Sequence, residues 1–308
     1  MSSAASQLVL GESGLFDPTA PLTASGNLRR RGVISVIVTV TATAAALAAV
    51  AILAIVVYDV LQRGISSLSV GFVFQNPSGL AGGGIFNYVL GTAEVVGLGA
   101  AVALPLGVLT GIYLTEFAGR RSRTAGVIKL ALDMMQGLPT IIVGLFVYGL
   151  IVIPQRRQSG LAASIALAIV MLPLMARSSQ EVLLLVPNSL REAADALGVS
   201  RWRTVLTVIL PAAMGGIVTG AILAIARAAG ETAPVLIANS IFDPNAVSTN
   251  IFHGVPTIPM LIYSSVELPI PQAVARAWGA ALVLMLFILI ANVGARVILA
   301  RSRGKMGR

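Results

Sequence analysis

Residues Val33–Tyr58 read VISVIVTVTATAAALAAVAILAIVVY, a run without one charged side chain. A helix needs about 20 apolar residues to cross roughly 30 Å of hydrocarbon, so this stretch predicts a membrane span. It is too long for a cleaved signal peptide, whose apolar core runs about 7–15 residues and ends at a small-residue cleavage site. Arg29, Arg30 and Arg31 stand just before it. Basic clusters of this kind stay on the cytoplasmic side. The N-terminus is therefore expected in the cytoplasm, with residues 1–28, rich in Ser, Ala, Gly and Pro, as a mobile tail.

Working outward, five further runs are long, apolar and uncharged: Val95–Thr115, Met134–Ile153, Ser159–Ala176, Thr204–Ala226 and Ala277–Ala295. The second is expected to begin earlier, near Phe86, with Glu94 inside it. Six spans return the C-terminus to the cytoplasm. Two other charge-poor stretches, Gly64–Ala93 and Pro244–Val266, are broken by Gly, polar residues or Pro. An interrupted backbone leaves amides unpaired in lipid, so both are placed outside the bilayer or against protein.

The whole composition agrees. Of 308 residues, 56% are hydrophobic and 11% charged, and the mean hydropathy is +0.91. A soluble chain carries about a quarter charged residues, so a soluble enzyme is excluded and an all-α polytopic membrane protein is expected. There is no cysteine and one histidine, His253. Disulfides, thiolate sites and a cysteine nucleophile are ruled out, and a metal centre is not expected. The net charge of +9 follows topology. Of the Lys and Arg residues, 16 fall on predicted cytoplasmic segments, four on outer ones, and Arg227 at the end of the fifth span. That asymmetry supports the orientation and argues against nucleic-acid binding. The chain shows no internal repeat. The pairs Gly107/Gly111 and Gly216/Gly220 lack the strand–turn–helix setting of a dinucleotide loop and fit close helix packing.

Between the fourth and fifth spans, Arg177–Arg203 carries helical signals of its own. Ser189 and Glu192 have capping-box spacing. Leu190, Ala193, Ala194 and Leu197 recur at helical spacing as one apolar stripe. Gly198 follows where a left-handed residue ends a helix, and Ser200 can cap the next. Such a helix can lie on lipid headgroups. Its small apolar residues, with Glu192 and Asp195, fit a protein groove better.

Glu192-Ala193-Ala194, then Gly198, then Val208-x-Leu210-Pro211 resembles the EAA loop of ATP-binding-cassette importer permeases, with Val208 where that family usually has Ile. Arg227-Ala228-Ala229-Gly230-Glu231-Thr232-Ala233-Pro234 resembles a segment of phosphate-importer permeases of the PstA kind. Met171–Leu174 and Gly137–Ile142 also look like that subfamily, and the likeness runs from about Phe86 to the end. The resemblance implies the type I importer (MetI-like) permease fold. By residue range it implies a first helix and outer loop over 29–84, a permease core over 85–300 with the coupling loop at 188–211, and a basic tail over 301–308. It implies that Glu192, Ala193, Ala194 and Gly198 couple to an ATPase subunit. The expected partners are a second permease (PstC-like), an ATPase dimer (PstB-like) and an extracytoplasmic phosphate-binding protein (PstS-like), all at the lipid bilayer of a bacterial plasma membrane.

Three charged residues are candidates for the substrate pathway. Arg227 and Glu231 lie four apart and share a face if the helix continues. They either neutralise one another or meet the anion. Arginine suits a phosphate oxyanion through two parallel charge-assisted hydrogen bonds. An ionised Glu231 accepts a hydrogen bond from protonated phosphate but repels sulfate. Gly230 between them can break the helix. Arg177 reads either as a positive-inside anchor or as part of the anion's exit route. Glu94 is expected to find Arg227 or Arg276 as counter-charge, Asp133 and Gln136 to cap or kink the third helix ahead of Pro139, and His253 to be structural.

No GxxxxGK[ST] phosphate loop occurs in the sequence. The chain is therefore expected to be no enzyme and to bind no cofactor, with ATP and Mg used by the partner ATPase. The leading expectation is the permease subunit of a phosphate importer, forming half of the translocation pathway. The alternatives are a permease for another small anion such as molybdate or sulfate, or a secondary transporter. An intramembrane enzyme has no catalytic set here.

Overall fold

The computed structural model describes residues 26–79, 82–119, 122–240 and 250–306. Most of the expected mobile tail thus lies outside the described residues. The chain forms two units, one up to Tyr58 and one from Asp59 onward.

The first unit is the body of helix α1 (Gly26–Gly64). Its large apolar side chains, such as Val36, Leu47 and Ile55, are exposed. A surface apolar on every side suits lipid. The Thr39, Thr41 and Thr43 hydroxyls each donate to a carbonyl one turn back at 2.8 Å, so they need no partner from the bilayer.

The second unit begins with α2 (Val70–Phe74) and a hairpin of Pro77–Ser78 against Gly82–Gly83. Helix α3 (Phe86–Ile112) follows and widens into a π turn over Tyr113–Phe117. Next come α4 (Arg123–Gly137), then α5 (Thr140–Val147) with a π turn (Tyr148–Val152) and a last turn α6 (Ile153–Gln155). Helix α7 (Gly160–Leu184) leads to the short α8 (Asn188–Ala196). Then α9 (Arg201–Thr204) runs through a third π turn, Val205–Ile209, into α10 (Leu210–Ala229). Helices α11 (Ala233–Ala238), α12 (Ile258–Val266) and α13 (Pro271–Met306) complete the chain. The backbone of α13 stays helical to Met306, through most of the basic segment expected as a tail.

Among the described residues five helices are long and apolar enough to cross a membrane, and a bent helix pair makes a sixth when it is counted as one span. Five of the six expected spans are thus single helices, and α3 does begin at Phe86. The third differs. Met134–Ile153 is not one helix: α4 and α5 meet at 103°. Pro139 is the cause, because it drives the preceding residue out of the helical region; Leu138 has φ −73 and ψ 133. A search for uncharged runs does not register that break.

Helix α7 is the spine, touching α3, α4, α5, α10 and α11. The α3–α7 contact depends on small residues. A Cβ on Gly107 would lie 2.7 Å from Met175 Cβ, and one on Gly111 would lie 2.7 Å from Ser179 Cβ. On α10, a Cβ on Gly216 would lie 2.5 Å from Val182 Cγ1, and one on Gly220 would run into Ser178. Both glycine pairs are close-packing positions, as their spacing predicts. Around them Ala103, Ala166, Leu167, Met171 and Ala224 form a buried core.

The end of the bundle opposite α8 is closed by side chains bonded to backbone. Asn239, fully buried, donates to the Val255 carbonyl at 2.6 Å and accepts from the Val255 amide at 2.7 Å. Gln158 donates to the Ile237 carbonyl and accepts from the Ser240 amide. Thr92 accepts from the Ile258 amide at 2.9 Å. The His253 and Ile251 carbonyls accept the first amides of α7 at 2.8 Å. His253 thus serves structure through its backbone. These bonds satisfy irregular backbone that lipid could not. The described parts of Gly64–Ala93 and Pro244–Val266 pack on protein through Phe72, Ile85, Tyr88, Ile258 and Leu261, which share one core. Residues 244–249 of that stretch lie outside the described residues.

Candidate functional site

Two places hold most of the residues that sequence singles out: helix α8 and the end of α10.

Helix α8 starts at Asn188 with Pro187 in the cap position, φ −58 and ψ 138, and no side chain caps it. The expected capping box between Ser189 and Glu192 is therefore not formed. The helix starts two residues earlier than a Ser189 cap requires, which carries Ser189 inside the first turn, out of the cap position. Ser200 likewise holds the cap position of α9 without a side-chain bond. The exit from α8 is as expected. Gly198 has φ +68, its amide bonds the Asp195 carbonyl at 3.0 Å, and the Val199 amide bonds the Ala194 carbonyl at 3.0 Å. This crossed pair is the Schellman closure, and glycine adopts its left-handed residue without penalty.

The apolar stripe on α8 does not face one way. Ala194 is 7% exposed and seats the helix on its own protein, whereas Leu197 is 82% exposed. Leu190, Glu192 and Ala193 are exposed too, and Trp202 and Leu206 add apolar surface alongside. A cavity of about 220 Å³ separates α8 from α9, and Glu192, Asp195 and Arg201 line it with Arg191 and Glu116.

Sequence reasoning missed a buried charge pair. Glu116, 3% exposed, receives Arg191 in a fork: Nη2 to Oε1 at 2.7 Å, Nε to both oxygens at 3.2 Å. Arg191 also donates to the carbonyls of Leu183 and Val186 and to Asn188. In the sequence, Arg191 counts only as a cytoplasmic charge. The available signal was Glu116 itself, a carboxylate at the end of an uncharged run.

At the other place, α10 stops at Ala229 and Gly230 takes φ −92 and ψ −5. The helix does not continue under Arg227 and Glu231, yet they stay near each other, Nε to Oε1 at 3.8 Å. That separation is an ion pair without a hydrogen bond. The Arg227 side chain is 65% exposed and that of Glu231 17%. Arg227 lines a cavity of about 280 Å³ with Gln136, Leu138, Thr140, Pro173 and Leu174. The space lies where the chain breaks at Pro139, beside Pro173 inside α7, and Arg227 has N–H groups to offer into it.

Arg177 does not line that cavity. Its guanidinium pairs with Asp133, donates to Gln180 at 3.1 Å and reaches the Lys129 carbonyl at 3.4 Å, tying α7 to α4. Asp133 and Gln136 accordingly neither cap nor kink a helix: Gln136 donates to the Pro173 carbonyl at 3.4 Å. Glu94 also departs from expectation. Its Oε2 is buried without a hydrogen-bond partner, and neither Arg227 nor Arg276 pairs with it among the described residues. Arg276 instead donates to the Gly82 carbonyl at 3.0 Å. No three His, Asp or Glu side chains among the described residues lie close enough together to hold a metal ion.

The family described as "Binding-protein-dependent transport system inner membrane component" matches residues 103–304. The phosphate transport system permease protein PstA of Haemophilus influenzae is 37% identical, covering 79% of this chain and 85% of the relative. PstA 1 of Mycobacterium tuberculosis H37Rv is 40% identical over 70% of each chain, and PstA of Yersinia pestis is 36% identical over 80% of this chain and 84% of the relative. Among solved structures, an inward-facing MetNI methionine ABC transporter aligns with a TM-score of 0.55 at 18% identity. It covers 71% of this chain and 94% of that one, a likeness in fold.

Proposed function

Because the chain belongs to the family of binding-protein-dependent transport system inner membrane components, we propose that it is the membrane-spanning permease subunit of an ATP-driven phosphate importer. The observation that carries phosphate is Arg227. Its exposed guanidinium borders the cavity at the break between α4 and α5. A planar fork of donors matches a tetrahedral oxyanion, and the named relatives are phosphate permeases. Glu231, held near by an ion pair but not hydrogen-bonded to it, stays able to accept a proton-bearing phosphate oxygen. A fully deprotonated tetrahedral anion would gain nothing there.

Transport energy enters through α8. Its exposed Glu192 and Ala193 meet the ATPase subunit, Ala194 anchors the helix, and Gly198 fixes the turn that aims it. ATP hydrolysis lies in that partner, a dimer of PstB-like subunits. A PstC-like permease supplies the other half of the pathway and a PstS-like protein delivers phosphate. The chain lies in the plasma membrane with both termini cytoplasmic, the side on which α8 docks. Arg177 belongs to the scaffold between α4 and α7, away from the anion.

Uptake of labelled phosphate in cells lacking and regaining this chain tests the reading. Restoration by the intact chain but not by Arg227→Gln, at equal membrane abundance, is expected. Restoration of sulfate or molybdate uptake in place of phosphate would overturn the substrate assignment.

A further inference from the structure

A buried charge is stable only when it is paired and its hydrogen-bonding capacity is filled. Arg191 meets that condition with its whole guanidinium. Nε and Nη2 hold Glu116, the second Nη2 hydrogen goes to the Leu183 carbonyl, and Nη1 reaches the Val186 carbonyl and Asn188. Four segments meet on one side chain: the end of α3, the end of α7, the connection after it, and α8. Glu116 sits in the π turn over Tyr113–Phe117, closed by the Ala118 amide on the Tyr113 carbonyl. Turns of this kind recur at functional positions in helices.

We propose that Glu116 and Arg191 are positioning residues that join α8 to α3 as one body. Displacement of α8 is then delivered to the glycine-lined α3–α7 interface instead of being absorbed by the short connections at 185–187 and 198–200. This rests on the reading of α8 as the ATPase-docking helix. The charge pair acts through α8 and touches neither nucleotide nor phosphate.

The chain has no cysteine, so spin labels can be introduced at Leu197→Cys, the cap residue whose amide bonds back to Ala193 of α8, and Leu109→Cys on α3, both exposed. The two-permease, two-ATPase complex would be measured nucleotide-free and nucleotide-trapped. The expected result is a 109–197 distance that stays constant within the label's width. With Glu116→Gln it broadens and shifts on trapping, and phosphate moved per ATP hydrolysed falls about tenfold, the scale of one lost coupling interaction. Arg191→Lys gives the same shift, because an ammonium cannot fill the fork; membrane abundance is checked for both. A distance that changes in the unmodified pair, or Glu116→Gln with distance and coupling ratio intact, overturns the proposal. A Leu197 label equally mobile with and without ATPase subunits instead contradicts the docking reading, and removes this inference with it.

Discussion

Arg227 and Glu231 approach to 3.8 Å across the residue at which α10 ends, close enough to feel each other's charge and too far to share a hydrogen bond. Arg227 therefore keeps its donors. Arg227→Gln should leave the complex assembled and nearly abolish phosphate uptake, since charge-assisted hydrogen bonds contribute roughly 1.5–3 kcal/mol each. Arg227→Lys should restore little. If the pair only neutralised itself, Arg227→Gln with Glu231→Gln would recover transport. Labelled-phosphate uptake by that double variant should stay near background, and substantial uptake would show a structural pair.

Glu192→Lys offers a clean test of docking. Glu192 takes part in no capping box, so the substitution removes no cap and should leave the thermal stability of the chain nearly unchanged. Recovery of the ATPase subunit in a pull-down with tagged permease should fall sharply. Full recovery with normal uptake would remove α8 from its assigned role.

Gly198→Ala should impair the same step by a different route. At φ +68 an L-residue pays about 1 kcal/mol, and relief of that strain re-aims α8. Gly198→Asn, which tolerates the left-handed region better, should retain more ATPase binding than Gly198→Ala in the same pull-down. Equal binding by both variants would count against an aiming role.

Arg177 is expected to behave as scaffold. Its partner Asp133 is 60% exposed, and pairs open to solvent contribute about 0–1 kcal/mol. Arg177→Gln should lower abundance modestly and leave the phosphate concentration for half-maximal uptake unchanged. A rise in that concentration would return Arg177 to the anion's route.

The six spans could be read because lipid imposes a simple demand, a long uncharged apolar run, and Val33–Tyr58 meets it without reference to anything distant. Gly107, Gly111, Gly216 and Gly220 were legible for a similar reason, since their spacing along one helix already defines a face. Gly198 was local too. What escaped was pairwise. Glu116 and Arg191 stand 75 positions apart, and no pattern within either helix points to the other. Asp133 and Arg177 escaped in the same way. The bend at Pro139 was visible as a residue, but a count of uncharged positions gives it no weight. The capping box failed because Pro187, two places ahead of Ser189, had already claimed the cap.

The bonds made by Asn239, Thr92 and Gln158 set an order of opening for the molecule. Amide hydrogens exchange with solvent only when their bonds break, and regions differ in how often that happens. The Val255 amide lies outside any helix and the Ile258 amide is the first of α12, with no acceptor within it, yet each is held by a buried side chain from another segment. Their exchange should be slow, close to that of the α7 core. The Leu185 and Val186 amides bond only one short turn back and should exchange far sooner. The protein thus keeps one end shut on long timescales, and the end that carries α8 breathes.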